Sequence, residues 1–252
     1  MSIHLLPLRG IPLIHAGDDL GGLLAAAIEE SRYGLRSGDV LVVCQKVVSK
    51  AEGRIIALSS VEPSLLACEW ARSIDKDPRL IELVLRESRR IVRMEAGALI
   101  VETPGGYVCA NAGIDQSNAS AEDTVTLLPL DCDDSAERIA LGVSRRLGLL
   151  PAVVVTDTFG RPWREGQIEF ALGVFGFEPV TDLRGTKDFT GRDLGVTQIA
   201  LADEIAAAAG LLMDKSAAVP AVLVRGLDLA VDPARRTGGR ALIRPRERDL
   251  FR

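Results

Sequence analysis

The 252-residue chain is 47% hydrophobic and 26% charged, with a formal net charge of −5. That supports a sizeable core in one large domain or two small ones, and the acidic balance argues against a nucleic-acid binder, which would show a basic face. His4 and His15 are the only histidines, and Cys44, Cys68, Cys109 and Cys132 form no CxxC pair, which disfavours a His/Cys zinc site or a Ser/His/Asp triad and leaves chemistry to carboxylates, hydroxyls, amides, Lys and Arg.

In chain order, LGGLLAAAIEE (20–30) reads as a helix that Asp18 or Asp19 can cap, and DVLVVC (39–44) as a short buried strand after Gly38. Segments 63–74 and 79–91 read as helices, with Pro63 and Pro78 at or before their first turns. ALIVET (98–103) and YVCAN (107–111) flank Pro104-Gly105-Gly106, a hairpin signal, and 124–130 is a further strand. Residues 135–148 form an amphipathic helix ended by Gly148, and AVVVTD (152–157) is a buried strand ending at an aspartate. Residues 159–192, rich in Gly, Arg, Asp and Thr, read as a long functional loop system. Residues 195–213 start extended and continue as an Ala-rich helix, 220–227 is a late strand, and the Arg-rich tail 232–252 is expected to be partly mobile. Without strict βαβ alternation the class is α+β.

Three stretches carry chemistry. In CQKVVSKAEGR (44–54), a buried strand delivers Gln45, Lys46, Ser49 and Lys50 at its exit. Two lysines and a hydroxyl there can hold phosphate oxygens, although spacing alone favours a solvated strand end with surface lysines. No Walker loop occurs. In NAGIDQSN (111–118), Asp115 with Ser117 and Asn118 fits metal binding and nucleotide recognition, or equally an Asx-turn. In VVVTDTFGRPWREGQ (153–167), Asp157 and Thr158 end an apolar strand, followed by Arg161, Trp163, Arg164 and Gln167. A carboxylate at such a strand end holds a metal rigidly, and the two arginines can neutralise phosphate or carboxylate charge. Trp163, beside Pro162, reads more readily as a core anchor than as a ring platform. Asp203 and Glu204 open the Ala-rich helix, where its dipole alone accounts for carboxylates. Asp188 and Asp193, with Arg184 and Arg192, read as surface pairs or a substrate clamp.

GIP followed by GDDL, KVVSKAEGR, NAGIDQSN, VVVTDTFGRPWREGQ and ALADEIAAAAGLLM stand in this order. Together, from residue 6 to 227, they resemble the coenzyme F420-0:L-glutamate ligase family. The resemblance implies an ATP-grasp-independent ligase that joins glutamate to the lactyl carboxylate of a deazaflavin coenzyme precursor, using GTP through an acyl phosphate, with further γ-linked glutamates in many members. It implies two Mg²⁺ or Mn²⁺ ions, with K⁺ as a further ion, and an unusual two-subdomain α+β fold forming an intertwined homodimer. Matched by motif, Ile11, Pro12, Leu13 and Ile14, with Gln45, Lys50 and Asn118, contact the nucleotide. Asp115 and Asp157 ligate the first metal, Thr158 the second, and Glu204 is a further ligand. Asp157, Arg161 and Arg164 take part in the chemistry. Where relatives carry a TSK-like triplet, this chain has Cys44-Gln45-Lys46, which bears on purine contact and GTP preference.

Two other readings fit the same motifs: a nucleotide- and metal-dependent ligase of a different carboxylate metabolite, and a non-catalytic nucleotide-binding protein. No apolar run is long enough to span a membrane, no signal peptide is visible, and scattered thiols suit a cytoplasmic setting.

Overall fold

The computed structural model describes residues 2–95, 97–116, 123–213, 218–235 and 237–249. Its centre is a five-stranded sheet built from β1 (His4–Leu8), β2 (Val40–Cys44), β8 (Ala152–Arg161), β9 (Arg164–Phe175) and β12 (Ala221–Arg225) in the order β1-β12-β2-β8-β9. β2 and β8 run parallel, Val42 opposite Val154, and the other neighbours run antiparallel. Strand alternation sorts the side chains into two cores. Leu41, Val43, Val153, Val155 and Leu223 meet α1 (Leu20–Glu30) and α5 (Cys132–Leu147) on one face. Val40, Val42, Val154, Val222 and Val224 meet α6 (Leu201–Gly210) on the other. Strands buried on both faces must be apolar at every position, which is why the valine runs are continuous.

The helix ends follow their capping chemistry. Asp19 accepts from Gly22 N–H at 3.1 Å at the start of α1, and Asp131 from Asp133 and Asp134 N–H at the start of α5. Gly148, with φ +70°, closes α5 in the left-handed conformation that glycine adopts without strain. Where α1 crosses α5, a Cβ on Gly21 would stand 2.7 Å from Gly142 Cα, so the two backbones touch through glycines.

Between β2 and α5 the chain builds a second body. After α2 (Gln45–Ala51) come β3 (Ile55–Ala57), α3 (Leu65–Ile74), α4 (Pro78–Arg86), β4 (Arg90–Glu95), β5 (Ala98–Glu102), β6 (Val108–Ala110) and β7 (Thr124–Thr126). β4, β5 and β6 form an antiparallel sheet, and β3 pairs with β7. Ala67, Ala71, Ile81, Val84, Leu99 and Val101 make one core of this body; Leu58, Leu80, Leu83, Val125 and Leu127 make another. Arg54 ties its base, donating to Leu128 O at 2.9 Å and pairing with Glu87 at 2.7 Å. The result is a mixed helix-and-sheet protein of the expected α+β kind.

Four sequence expectations need correction. The helix expected over 79–91 ends at Arg86, and Arg90–Glu95 is strand β4. Residues 45–51, read as the exit and solvated end of the strand, form helix α2 directly after β2. The first part of the loop system expected at 159–192 is ordered as strand. β8 continues to Arg161 and returns through β9, so the pair forms a long hairpin with Pro162 and Trp163 at its tip. Trp163 is no core anchor: it is 76% exposed, at φ +58°.

Beyond the hairpin, β10 (Thr181–Asp182) pairs with β11 (Gln198–Ile199) at the base of an excursion in which Lys187 pairs with Asp193 and Arg184 with Asp182. Asp188 there accepts from Thr190 and Arg192 N–H within its own turn. The tail returns to the body where Gly239 N–H donates to Asp133 Oδ1 at 2.7 Å.

Candidate active site

A cleft of about 570 Å³ opens between the β8–β9 hairpin and the second body, a volume that suits a small-molecule site. One wall is Asp157, Thr158, Phe159, Gly160 and Arg161; the opposite wall includes Ile100, Cys109, Asn111 and Asp115, with Lys46 also lining the space.

Asp157 follows the buried run Ala152–Thr156 of β8, so a rigid sheet positions it. Burial pushes its carboxyl up to about 7; the Thr158 backbone N–H opposes this, the charges of Glu169 and Asp115 add to it, and Lys46 pulls it back. Asp115 reaches the cleft through an unusual turn. Asn111, Ala112 and Gly113 all have positive φ, of 51°, 56° and 71°. Such a run costs free energy for the two side-chain-bearing residues and is typical of functional loops. Lys76 Nζ holds Asn111 Oδ1 at 2.9 Å, and a Cβ on Gly113 would strike Leu128 at 2.8 Å, so only glycine fits the last position. The turn ends where Asp115 exchanges both backbone hydrogen bonds with Thr126, at 3.0 and 2.9 Å. Its side chain forms an ion pair with Lys46 across the cleft.

Glu169 lies opposite Thr158 on β9. The Thr158 hydroxyl donates to Glu169 Oε1 at 2.6 Å, and the Thr156 hydroxyl lies 2.8 Å from both Glu169 Oε2 and Phe170 O. Sequence reasoning missed Glu169. It sits in the stretch read as loop, and only a strand register reveals that it faces two threonines.

The remaining expected residues divide. Arg161 lines the cleft and donates to Gly166 O at 3.3 Å, while Arg164 is exposed at the hairpin tip. Glu204 is exposed on the first turn of α6, outside the cleft lining. Its neighbour Asp203 is structural, accepting from Ala171 N–H at 2.9 Å where the β8–β9 register shifts. Gln45 is fully buried and its Oε1 accepts from Ser49 at 2.8 Å. Lys50 occupies the last turn of α2. Ile11, Pro12, Leu13 and Ile14 follow β1; Ile14 is buried in the core and Leu13 is exposed. That segment leads to Gly17, whose N–H donates to Ala51 O at the end of α2. Neither it nor Lys50 lines the cleft with Asp115. Asn118 lies outside the described residues.

The donors facing the cleft are carboxylates and a hydroxyl, hard oxygen ligands that suit Mg²⁺ or Mn²⁺. Among the described residues no three His, Cys, Asp or Glu side chains converge to cage an ion. Cys109 also lines the cleft, and burial pushes its thiol up to about 12.

Fold and site together define an α+β protein with an oxygen-rich, carboxylate-walled cleft between two bodies. Residues 10–226 match the family model of F420-0:gamma-glutamyl ligase, and the chain belongs to that family. It is 44% identical, over the whole of both chains, to a protein of Methanothermobacter thermautotrophicus named coenzyme F420:L-glutamate ligase. Proteins of the same name from Methanopyrus kandleri (42% identical, 98% of each chain) and Archaeoglobus fulgidus (44%, 91% of this chain and 90% of the relative) are similarly related. No helix among the described residues is long and apolar enough to cross a membrane.

Proposed function

We propose that this protein joins L-glutamate to the lactyl carboxylate of F420-0 as a cytoplasmic ligase, with GTP as the phosphoryl donor and Mg²⁺ or Mn²⁺ as the metal. The observation that carries the reading is that Asp115 and Asp157, far apart in the chain and on different bodies, line one cleft. A relative named coenzyme F420:L-glutamate ligase matches the whole chain.

A carboxylate does not condense with an amine unaided, because its oxygen is a poor leaving group. The acceptor carboxylate oxygen attacks the γ-phosphorus, GDP departs, and an acyl phosphate results. The glutamate nitrogen then attacks the carbonyl carbon, phosphate leaves and the nitrogen loses its proton. Such chemistry needs charge neutralisation and positioning more than a histidine base. Lys46 and Arg161 bring positive charge to the cleft for phosphate oxygens. Asp115, Asp157 and Thr158 would hold divalent ions, which supply further neutralisation when bound. Ile11–Ile14, Gln45, Lys50 and Asn118 are assigned to the nucleotide, Arg164 to the chemistry and Glu204 to a metal by family resemblance alone. Further γ-linked glutamates, a K⁺ requirement and a homodimer belong to the same reading, by family resemblance.

Incubating the protein with F420-0, glutamate, GTP and Mn²⁺ should yield a product heavier by one glutamyl residue, read by mass spectrometry. No glutamylation with any nucleotide and metal would reject the assignment.

A further inference from the structure

We infer that Lys46 is a stand-in cation: its ammonium occupies the Asp115 carboxylate until metal and nucleotide arrive together, and it then transfers to the phosphates. This rests on the metal reading of the cleft and adds an order of events to it.

The two partners differ in freedom. Asp115 is fixed by its paired backbone bonds to Thr126 and by the left-handed turn before it. Lys46 hangs on a flexible four-carbon stem from the first turn of α2 and pairs with Asp115 Oδ2 from across the cleft. Both side chains are mostly shielded, at 14% and 24% exposure, so water screens the pair weakly. Asp157 and Glu169 stand close enough for their charges to be felt together with those of Asp115 and Lys46. An ion arriving alone at Asp115 must therefore displace the lysine while no phosphate is present to receive it. An ion arriving with a polyphosphate brings that anion with it. Lys46 then makes metal and nucleotide binding mutually reinforcing, and by linkage each tightens the other by the same factor.

The prediction runs against the ordinary expectation for loss of a site residue. Lys46→Met, which keeps the stem and removes the charge, should bind Mn²⁺ alone about fivefold tighter than the unaltered protein, at the lower end of measured couplings between sites. Mn²⁺ titration followed by loss of the free-ion EPR signal reads this without turnover. Repeating the titration with a non-hydrolysable GTP analogue should show a large gain for the unaltered protein and a reduced one for Lys46→Met. Lys46→Gln should repeat the result, and Lys46→Arg should restore the original pattern. If the unaltered protein binds Mn²⁺ with the analogue but Lys46→Met and Lys46→Gln bind Mn²⁺ alone no tighter than it does, the stand-in role is wrong while the metal reading survives. If the unaltered protein binds no Mn²⁺ under either condition, both fall.

Discussion

Thr158 and Glu169 face each other across the β8–β9 ladder, and the threonine hydroxyl donates its single proton to Glu169 Oε1 at 2.6 Å. A hydroxyl so engaged keeps its lone pairs for a cation. Outer carboxylates of this kind orient a ligand and raise its basicity. Glu169→Ala should therefore weaken Mn²⁺ binding by roughly 10- to 100-fold, with Glu169→Gln intermediate because one oxygen acceptor remains. Mn²⁺ titration by EPR checks this, and unchanged affinity in Glu169→Ala would remove the role.

Asp157 carries a pH signature. Its carboxyl is raised from 3.8 to about 7 in the folded protein. Between those values the folded chain holds a proton that the unfolded chain has released, so this group's contribution to metal-free stability falls as pH rises from about 4 through 7. Asp157→Asn cannot ionise. In chelator at pH 8 it should be the more stable protein by roughly 2 kcal/mol, a discounted share of 1.36 kcal/mol per pKa unit, and at pH 4 the difference should vanish. It should also lose most ligase activity. Thermal melts at the two pH values provide the comparison; a variant less stable than the parent at pH 8 would contradict the sign.

How much of this was legible in the sequence depended on whether local pattern and tertiary environment agreed. α1 falls on the expected residues 20–30 because apolar spacing and the Asp19 cap coincide. The β5–β6 hairpin follows from its Pro-Gly-Gly turn. β9 was hidden because it obeys no single period. Its outer part, 164–167, is exposed at the hairpin tip, while its inner part, 171–175, is buried throughout. β4 was hidden because Arg90, Arg93 and Glu95 prolong the charged pattern of α4. Asp115, Asp157, Thr158 and Arg161 stood out as polar groups after apolar strands or in polar turns, and the fold brings them to one cleft. The Lys46–Asp115 pair and the Glu169 clamp were invisible, since both depend on contacts between distant segments.

The ion pair of Asp39 and Arg225 anchors the opposite end of β2. Asp39 is 1% exposed, and Arg225 grips both its oxygens, at 2.8 and 2.7 Å, while also donating to Gly34 O at 2.7 Å. Arg225→Ala leaves a buried carboxylate without its counterion, and should cost about 3–5 kcal/mol. Arg225→Lys should recover part of that, since an ammonium supplies charge without the two-pronged fit. Urea unfolding monitored by circular dichroism measures both; a loss below about 1 kcal/mol in Arg225→Ala, the range of exposed pairs, would show that the pair is not a structural anchor.

Gly210, the last residue of α6, offers a test of the Glu169 clamp from outside the cleft. An added Cβ there would stand 2.6 Å from Glu169 Cγ and 3.3 Å from Glu169 Cβ. The clash falls on the stem of the side chain, so the carboxylate cannot escape by rotating its tip. Gly210→Ala must then move Glu169 away from Thr158, even though alanine favours the helix by up to about 1 kcal/mol. The expected outcome is Mn²⁺ binding weakened by roughly tenfold, the lower end for outer-shell changes, in a protein that melts close to the parent temperature. The same substitution placed on Glu169→Ala should add nothing, because the group it displaces is gone. Additive losses in that double-mutant cycle would mean that Gly210 acts by another route.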